Sequence, residues 1–238
     1  MMISRTRPYR FLIDIIYPNR CALCDKVISW DGLICKKCEK EARLVNEPMS
    51  IPVVREAFCA FKYEGKAKER VLELKYKGTA STFQEYCSLH LCELLRDSGA
   101  SEDIDLVTSV PMHIAKKKER GYNQADRIAR NVADILGKPC DLKLLQRSAD
   151  KGEQHKLYAK DRHSHAMQVF SPADSHRDIR GQAILLCDDI STTGSTAQVC
   201  AEILRSMGAE SVYFCSLTAT LGGASADDSS AVEKDKAP

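Results

Sequence analysis

The sequence lacks a charge excess of either sign. Lysine and arginine number 35, aspartate and glutamate 33, and the net charge is +2. Bulk charge therefore predicts no partner, neither a nucleic acid nor a membrane surface. Proline (8) and glycine (12) are too few for a collagen-like or low-complexity chain. No repeat of solenoid length is visible. Long apolar runs are missing too. The run Phe11–Tyr17 spans only seven residues, holds Asp14 at its centre and follows the basic start MMISRTRPYR. Pro18 and Cys21 come next, with no small-residue cleavage site. Neither a signal peptide nor a membrane-inserted helix is expected.

What is present is ordinary except for one residue type. The 238 residues are 44% hydrophobic and 29% charged, enough for the core of one medium domain and a small module besides. Cysteine stands out at 11, an odd number in a chain too long to need stapling. Reduced thiols in a cytoplasmic protein, some of them on a metal, are the better reading than a disulfide framework. Cys21, Cys24, Cys35 and Cys38 form two CxxC pairs, a spacing that closes a tetrahedral zinc site with Zn–S bonds of about 2.3 Å. Disulfides or chance pairing are the competing readings. With all four positions filled by sulfur, the Zn²⁺ would be structural. The spacer allows a small hairpin with Gly32 in its turn. Trp30 is expected in the core of this ribbon; the other reading is an exposed stacking platform for single-stranded nucleic acid. Cys59, Cys87, Cys92, Cys140, Cys187, Cys200 and Cys215 read as small buried hydrophobes.

From Ala57 onward strands and helices alternate. Residues 57–63 alternate as a strand, and 66–77 read as a basic helix ending at Gly78. Phe83, Cys87, Leu91, Leu94 and Leu95 mark an amphipathic helix. Residues 104–110 form a strand stopped by Pro111, and 125–136 a second helical stripe. Residues 140–145 read weakly as a strand, and 146–181 as a long polar loop with room for one short hairpin. The run 183–187 suits a central parallel strand. A helix over 197–207 and a strand over 212–217 follow, and the tail from 222 is expected to be disordered. The pattern predicts an α/β fold with a mostly parallel sheet flanked by helices. Ligands of such sheets bind at the carboxyl ends of the strands, which singles out loops 111–123 and 188–195.

The second loop carries the chemistry. Asp188 and Asp189 leave a buried strand, and Ser191, Thr192, Thr193, Gly194, Ser195 and Thr196 lead into a helix. Hydroxyls and free amides at a helix N-terminus bind phosphate, and Gly194 lets the backbone come close. The adjacent carboxylates would repel that phosphate; they suit vicinal hydroxyls or a metal. A phosphorylated sugar satisfies both halves. Helix capping explains one or two of these residues but not the whole run. The spacing is not that of a P-loop.

The segment resembles the PRPP motif of type I phosphoribosyltransferases. The resemblance implies that Asp188 and Asp189 hold the ribose hydroxyls of 5-phosphoribosyl-1-pyrophosphate (PRPP), and Thr192–Thr196 its 5′-phosphate.

Residues 114–130 carry six cations against two acids, a local excess of +4. By charge alone this is a pyrophosphate site, a solvated face or a nucleic-acid patch. The order of residues resembles a more particular family. Val110-Pro111-Met112-His113 followed by Arg120-Gly121-Tyr122-Asn123-Gln124 is similar to a signature of the ComF competence family. So are Gln154, Leu157, Arg162 and Phe170, the stretches Phe61–Gly65 and Leu74–Gly78, and Tyr17-Pro18 before Cys21. His165 stands where that family has Asn.

This resemblance implies a zinc ribbon over 1–50, a type I phosphoribosyltransferase-like domain over 51–221 and a tail over 222–238. It assigns pyrophosphate to Lys118, Arg120 and Gly121, with Mg²⁺ accompanying PRPP. Loop 150–165, with Gln154 and Arg162, is expected to close over the site. Asp188 and Asp189 are the expected catalytic pair. The implied functions are a phosphoribosyl transfer to an unidentified acceptor, in DNA uptake, or a non-catalytic PRPP-gated protein that binds single-stranded DNA. Implied partners are PRPP, single-stranded DNA and other competence proteins. A glutaminase-linked amidophosphoribosyltransferase is a poor third reading, since these 238 residues leave no room for a glutaminase domain.

Overall fold

The computed structural model describes residues 18–147, 169–174 and 177–220. Its centre is a four-stranded parallel sheet. β1 (Ala57–Lys62), β2 (Leu106–Ser109), β5 (Ala183–Ser191) and β6 (Ser211–Ala219) lie in the order β1-β6-β5-β2. β5 and β6 occupy the middle, and their residues are buried almost throughout. Burial on both faces explains why Ala183–Cys187 reads as a continuous apolar run rather than an alternation. β3 (Leu145–Arg147) pairs antiparallel with β4 (Phe170–Pro172) in a separate two-stranded sheet.

Helices cover the sheet. α2 (Gly65–Lys77), α3 (Ser81–Asp97) and α6 (Gln124–Leu136) carry apolar stripes, and the short α4 (Ala100–Asp103) buries only Ala100. Phe83, Cys87, Leu91 and Leu95 of α3 and Ile128, Ala129 and Val132 of α6 are fully buried in one cluster with Leu185, Tyr213 and Cys215 of the sheet. α7 (Ser195–Ser206) closes a second cluster through Val199, Cys200 and Leu204 against Ile184, Leu186 and Phe214. The helices stop where glycine offers a left-handed φ: α2 at Gly78 and α6 at Gly137.

Several sequence expectations change. β5 runs on to Ser191, so Asp188 and Asp189 lie on the strand's last turns of pleat rather than in a loop. The partner strand β6 is equally long and keeps pairing, with Asp188 opposite Ser216 and Ile190 opposite Thr218. The supposed basic loop is a helix in its first half, α5 (Ile114–Arg120). The weak strand at 140–145 reduces to one bridge, Cys140 to Val107, before β3 begins. Cys140 is exposed, unlike the other six cysteines outside the ribbon.

The N-terminal segment folds around its cysteines. α1 (Lys36–Glu41) is capped by the Cys35 side chain, which accepts from the Cys38 amide. Cys21, Ala22, Leu23 and Cys38 belong to the same buried cluster as α2, α3 and the sheet. Trp30 does not join it. Trp30 is 39% exposed, against the expectation of a core residue, and the ribbon's share of the core is Cys21, Ala22, Leu23 and Cys38. No helix among the described residues is long and apolar enough to cross a membrane.

Candidate functional site

β2 and β5 run side by side to the same end of the sheet, with β5 continuing to Ser191. Ser109 of β2 lies opposite Cys187 of β5, and the Val110 amide donates to the Cys187 carbonyl at 2.9 Å. The segment after β2, which holds α5, and the segment 192–194 after β5 therefore leave adjacent strands at the same end of the sheet.

On the β5 side, Asp188 is half-buried and densely surrounded by protein. Burial first, and then the charge of Asp189, push its carboxyl well above the usual carboxylate range. The Asp189 amide, 2.8 Å from Asp188 Oδ1, and the charge of Lys75 pull in the other direction. Beneath them Cys215 Sγ donates to Cys187 Sγ at 3.5 Å, both fully buried. Ser191 is buried, while Thr192 and Thr193 are exposed.

Gly194 is the N-cap of α7 at φ 75° and has no side chain of its own to cap the helix. The first intrahelical bond runs from the Gln198 amide to the Gly194 carbonyl at 2.8 Å, so the amides of Thr196 and Ala197 have no acceptor within the helix. Thr193 Oγ1 meets Ser195 Oγ at 2.8 Å and the Ser195 amide at 3.4 Å, the local closure that a capping reading expects for one or two residues. A Cβ at position 194 would stand 3.2 Å from Ile51 Cγ1. Ile51 thus backs the turn from outside the motif.

On the β2 side, His113 caps α5, its Nδ1 accepting from the Ala115 amide at 3.1 Å. That bond gives His113 a structural role as the cap of α5. Gly121 ends α5 at φ 79°, and its amide is already taken by the Lys117 carbonyl at 2.9 Å. Lys118 is exposed. Arg120 is held with its guanidinium 5.4 Å from the centre of the Tyr76 ring.

The turn into α6 is fixed by Asn123, whose Oδ1 accepts from the Ala125 amide at 3.2 Å. Its Nδ2 donates to the Val110 carbonyl at 3.0 Å and to Asp126 Oδ1 at 2.8 Å. Asp126 also accepts from Ser109 Oγ at 2.7 Å and pairs with Lys117 at 3.3 Å. Replacing Asn123 by alanine removes a cap and leaves a buried carbonyl unpaired. The expected cost is about 1–2 kcal/mol in urea unfolding. An unchanged midpoint would contradict the role given to this side chain.

Sequence reasoning missed the end of α2. Tyr122 Oη donates to the Leu74 carbonyl at 2.8 Å and Gln124 Nε2 to the Lys75 carbonyl at 3.2 Å. Lys75 is also the cation felt by Asp188. The stretch Leu74–Gly78 was visible only as a family resemblance; nothing in its own pattern marked Lys75. Gln154, Arg162 and His165 lie outside the described residues.

The four N-terminal cysteines do come together. Their sulfurs all lie within 4.8 Å of one another. Cys24 Sγ and Cys35 Sγ are 3.8 Å apart, far beyond a disulfide bond of about 2.05 Å. A tetrahedron with arms of about 2.3 Å has edges near 3.8 Å, so the spacing fits zinc. The Cys38 amide holds the Cys35 thiol down at about 7. Burial and the neighbouring sulfurs push Cys38 up to about 12. Four sulfurs this close can all be thiolates only with a cation to share. The cluster is consistent with a structural zinc.

Comparison with known proteins agrees with both halves. Residues 12–50 match the double zinc ribbon domain family. Residues 109–238, more than half the chain, match the phosphoribosyl transferase domain family. The chain belongs to the phosphoribosyl transferase domain family, in the ComF/YhgH group that joins this domain to an N-terminal double zinc ribbon. It is 28% identical to competence protein F of Haemophilus influenzae over 197 residues, 82% of this chain and 76% of that one. It is 24% identical to the DNA utilization protein YhgH of Escherichia coli over 211 residues, 84% of this chain and 90% of that one. Among solved structures, a purine phosphoribosyltransferase from Pyrococcus horikoshii is 18% identical with a TM-score of 0.37, covering 56% of this chain and 69% of its own. The adenine phosphoribosyltransferase of Saccharomyces cerevisiae is 16% identical with a TM-score of 0.38, covering 58% and 70%.

Proposed function

We propose that this chain binds PRPP with Mg²⁺ at the ends of β5 and β2, and transfers its phosphoribosyl group to an acceptor during the handling of incoming DNA in the cytoplasm. One observation carries the reading. A buried strand presents two carboxylates, and soon after them, behind a left-handed glycine, a helix begins whose Thr196 and Ala197 amides have no acceptor within it. Asp188 and Asp189 hold the ribose hydroxyls. Ser191, Thr192, Thr193, Ser195 and Thr196, with the amides around Gly194, hold the 5′-phosphate. Arg120 and Lys118 face the pyrophosphate. Gly121 acts there through its left-handed turn, since its own amide is engaged.

In the transfer, the bond from ribose C1 to the pyrophosphate oxygen breaks, and pyrophosphate leaves with the electron pair. The acceptor then donates its own pair to C1. The ring passes through a cationic, oxocarbenium-like state, which the carboxylates stabilise. Mg²⁺, when bound, spreads the charge of the departing pyrophosphate. The names of the relatives, competence protein F and DNA utilization protein, support the setting. The domain division at residue 50, the tail from 222 and an association with other competence proteins belong to the same reading.

A second reading is a non-catalytic, PRPP-gated protein for single-stranded DNA. It is favoured by the exposed rings of Trp30 and Tyr76, the latter beside Lys75 and Arg120. Calorimetric titration with PRPP·Mg²⁺ and with single-stranded DNA at two salt concentrations tests both. The proposal expects saturable PRPP binding of about one ligand per chain. DNA binding through the basic face weakens steeply with salt. No heat with PRPP sinks the first reading, and a DNA affinity indifferent to salt sinks the second.

A further inference from the structure

One helix touches both sites. At the start of α2, Lys66 Nζ lies 3.7 Å from Cys38 Sγ and 3.2 Å from Glu41 Oε2. One turn on, Arg70 Nη1 pairs with Asp25 Oδ1 at 3.4 Å, and the Arg70 side chain is only 13% exposed. Asp25 follows Cys24 directly, in a turn at φ 59°. At the other end of α2, the carbonyls of Leu74 and Lys75 accept from Tyr122 and Gln124. Those two side chains belong to the turn that carries Arg120.

The connection is also packed. Ala67, Val71 and Leu74, the buried residues of α2, lie in one apolar cluster with Cys21, Ala22, Leu23 and Cys38. From Lys66 to Lys75 the helix axis covers about 14 Å, a single rigid element. A closed Cys₄ zinc centre carries net negative charge, and Lys66 is the cation set against it. A ribbon this small folds with its metal, which supplies the two-state element that coupling requires.

We propose that metal loading of the Cys21–Cys24–Cys35–Cys38 centre sets the position of the Arg120–Gln124 turn through α2. Lys66 and Arg70 are the contacts at one end, and Tyr122 and Gln124 those at the other. When the metal leaves, the ribbon releases Lys66 and Arg70, and the helix whose carbonyls hold the turn loses its anchor. That the turn binds pyrophosphate rests on the function proposed above. The coupling does not, and it is read without ligand.

Amide hydrogen exchange on the full chain, with zinc and after chelation, tests it. Chelation is expected to speed exchange about tenfold or more in peptides covering 19–46, 65–78 and 120–126, and added zinc restores all three. In the double variant Tyr122→Phe/Gln124→Ala, the first two segments still respond and the third no longer does. Acceleration confined to 19–46 overturns the proposal, as does a chain purified without chelator that holds no zinc. If PRPP fails to bind while the three segments still respond together, the coupling stands and the functional reading falls.

Discussion

Asp188→Asn/Asp189→Asn is expected to lose PRPP binding while gaining heat stability. Each carboxylate is assigned charge-assisted hydrogen bonds to the ribose, worth about 1.5–3 kcal/mol apiece. Losing both weakens binding by about two to four orders of magnitude. The stability effect has the opposite sign. The folded protein raises the Asp188 carboxyl well above its ordinary value, through burial and through the charge of Asp189. Between the unfolded and folded values the native state binds more protons than the unfolded one. Stability therefore falls as pH rises through that window, so at the upper end of it this carboxyl is a burden on the fold. Asparagine removes it. The melting temperature of the variant should rise by a few degrees at pH 7, with a smaller difference near pH 4. Calorimetry with PRPP and thermal scans at the two pH values measure both parts. A variant that binds PRPP like the wild type, or melts lower at pH 7, contradicts the role given to the pair.

The second large effect is expected from the ribbon. Cys38→Ser, or chelation of the wild type, removes a ligand set whose apparent zinc affinity in small ribbons is about 10–16 kcal/mol. The loss should not stay local. Cys38 is itself fully buried, and Cys21, Ala22 and Leu23 share a cluster with Phe58, Phe83 and Leu91. Opening the ribbon exposes part of that cluster to water. The melting temperature should drop by about 10 °C or more, at about 2–4 °C per kcal/mol for a chain of this size. A drop confined to a separate low-temperature transition, with the main one unmoved, would show that the two halves stand alone.

Much of this was legible in residue patterns because the physics is local. Two CxxC pairs can be counted, and their four sulfurs do gather within 4.8 Å of one another. The apolar run before Asp188 needs no tertiary knowledge to be read as a central strand. Its length did need it. β5 extends past its acids only because β6 offers partners as far as Ala219, and polar residues there mask the signal. α5 was hidden for a related reason. Ile114–Arg120 has no buried residue, so it carries no apolar stripe to betray a helix, only a cap at His113. Trp30 is exposed where its size led one to expect burial, since the ribbon packs Cys21, Ala22, Leu23 and Cys38 against the larger domain instead. Lys75 and Ile51 were invisible, since each gains its place from chain folded back from far away. Ile51 meets Gly194, and Lys75 meets Gln124 and the field of Asp188.

The central claim is the location of a sugar phosphate at the end of β5. A crystal soaked with PRPP and Mg²⁺ tests it most directly. The account predicts 5′-phosphate density over Thr192–Thr196, ribose hydroxyls on Asp188 and Asp189, and pyrophosphate toward Arg120. Ligand bound elsewhere on the chain, or an empty strand end at saturating PRPP, would contradict it.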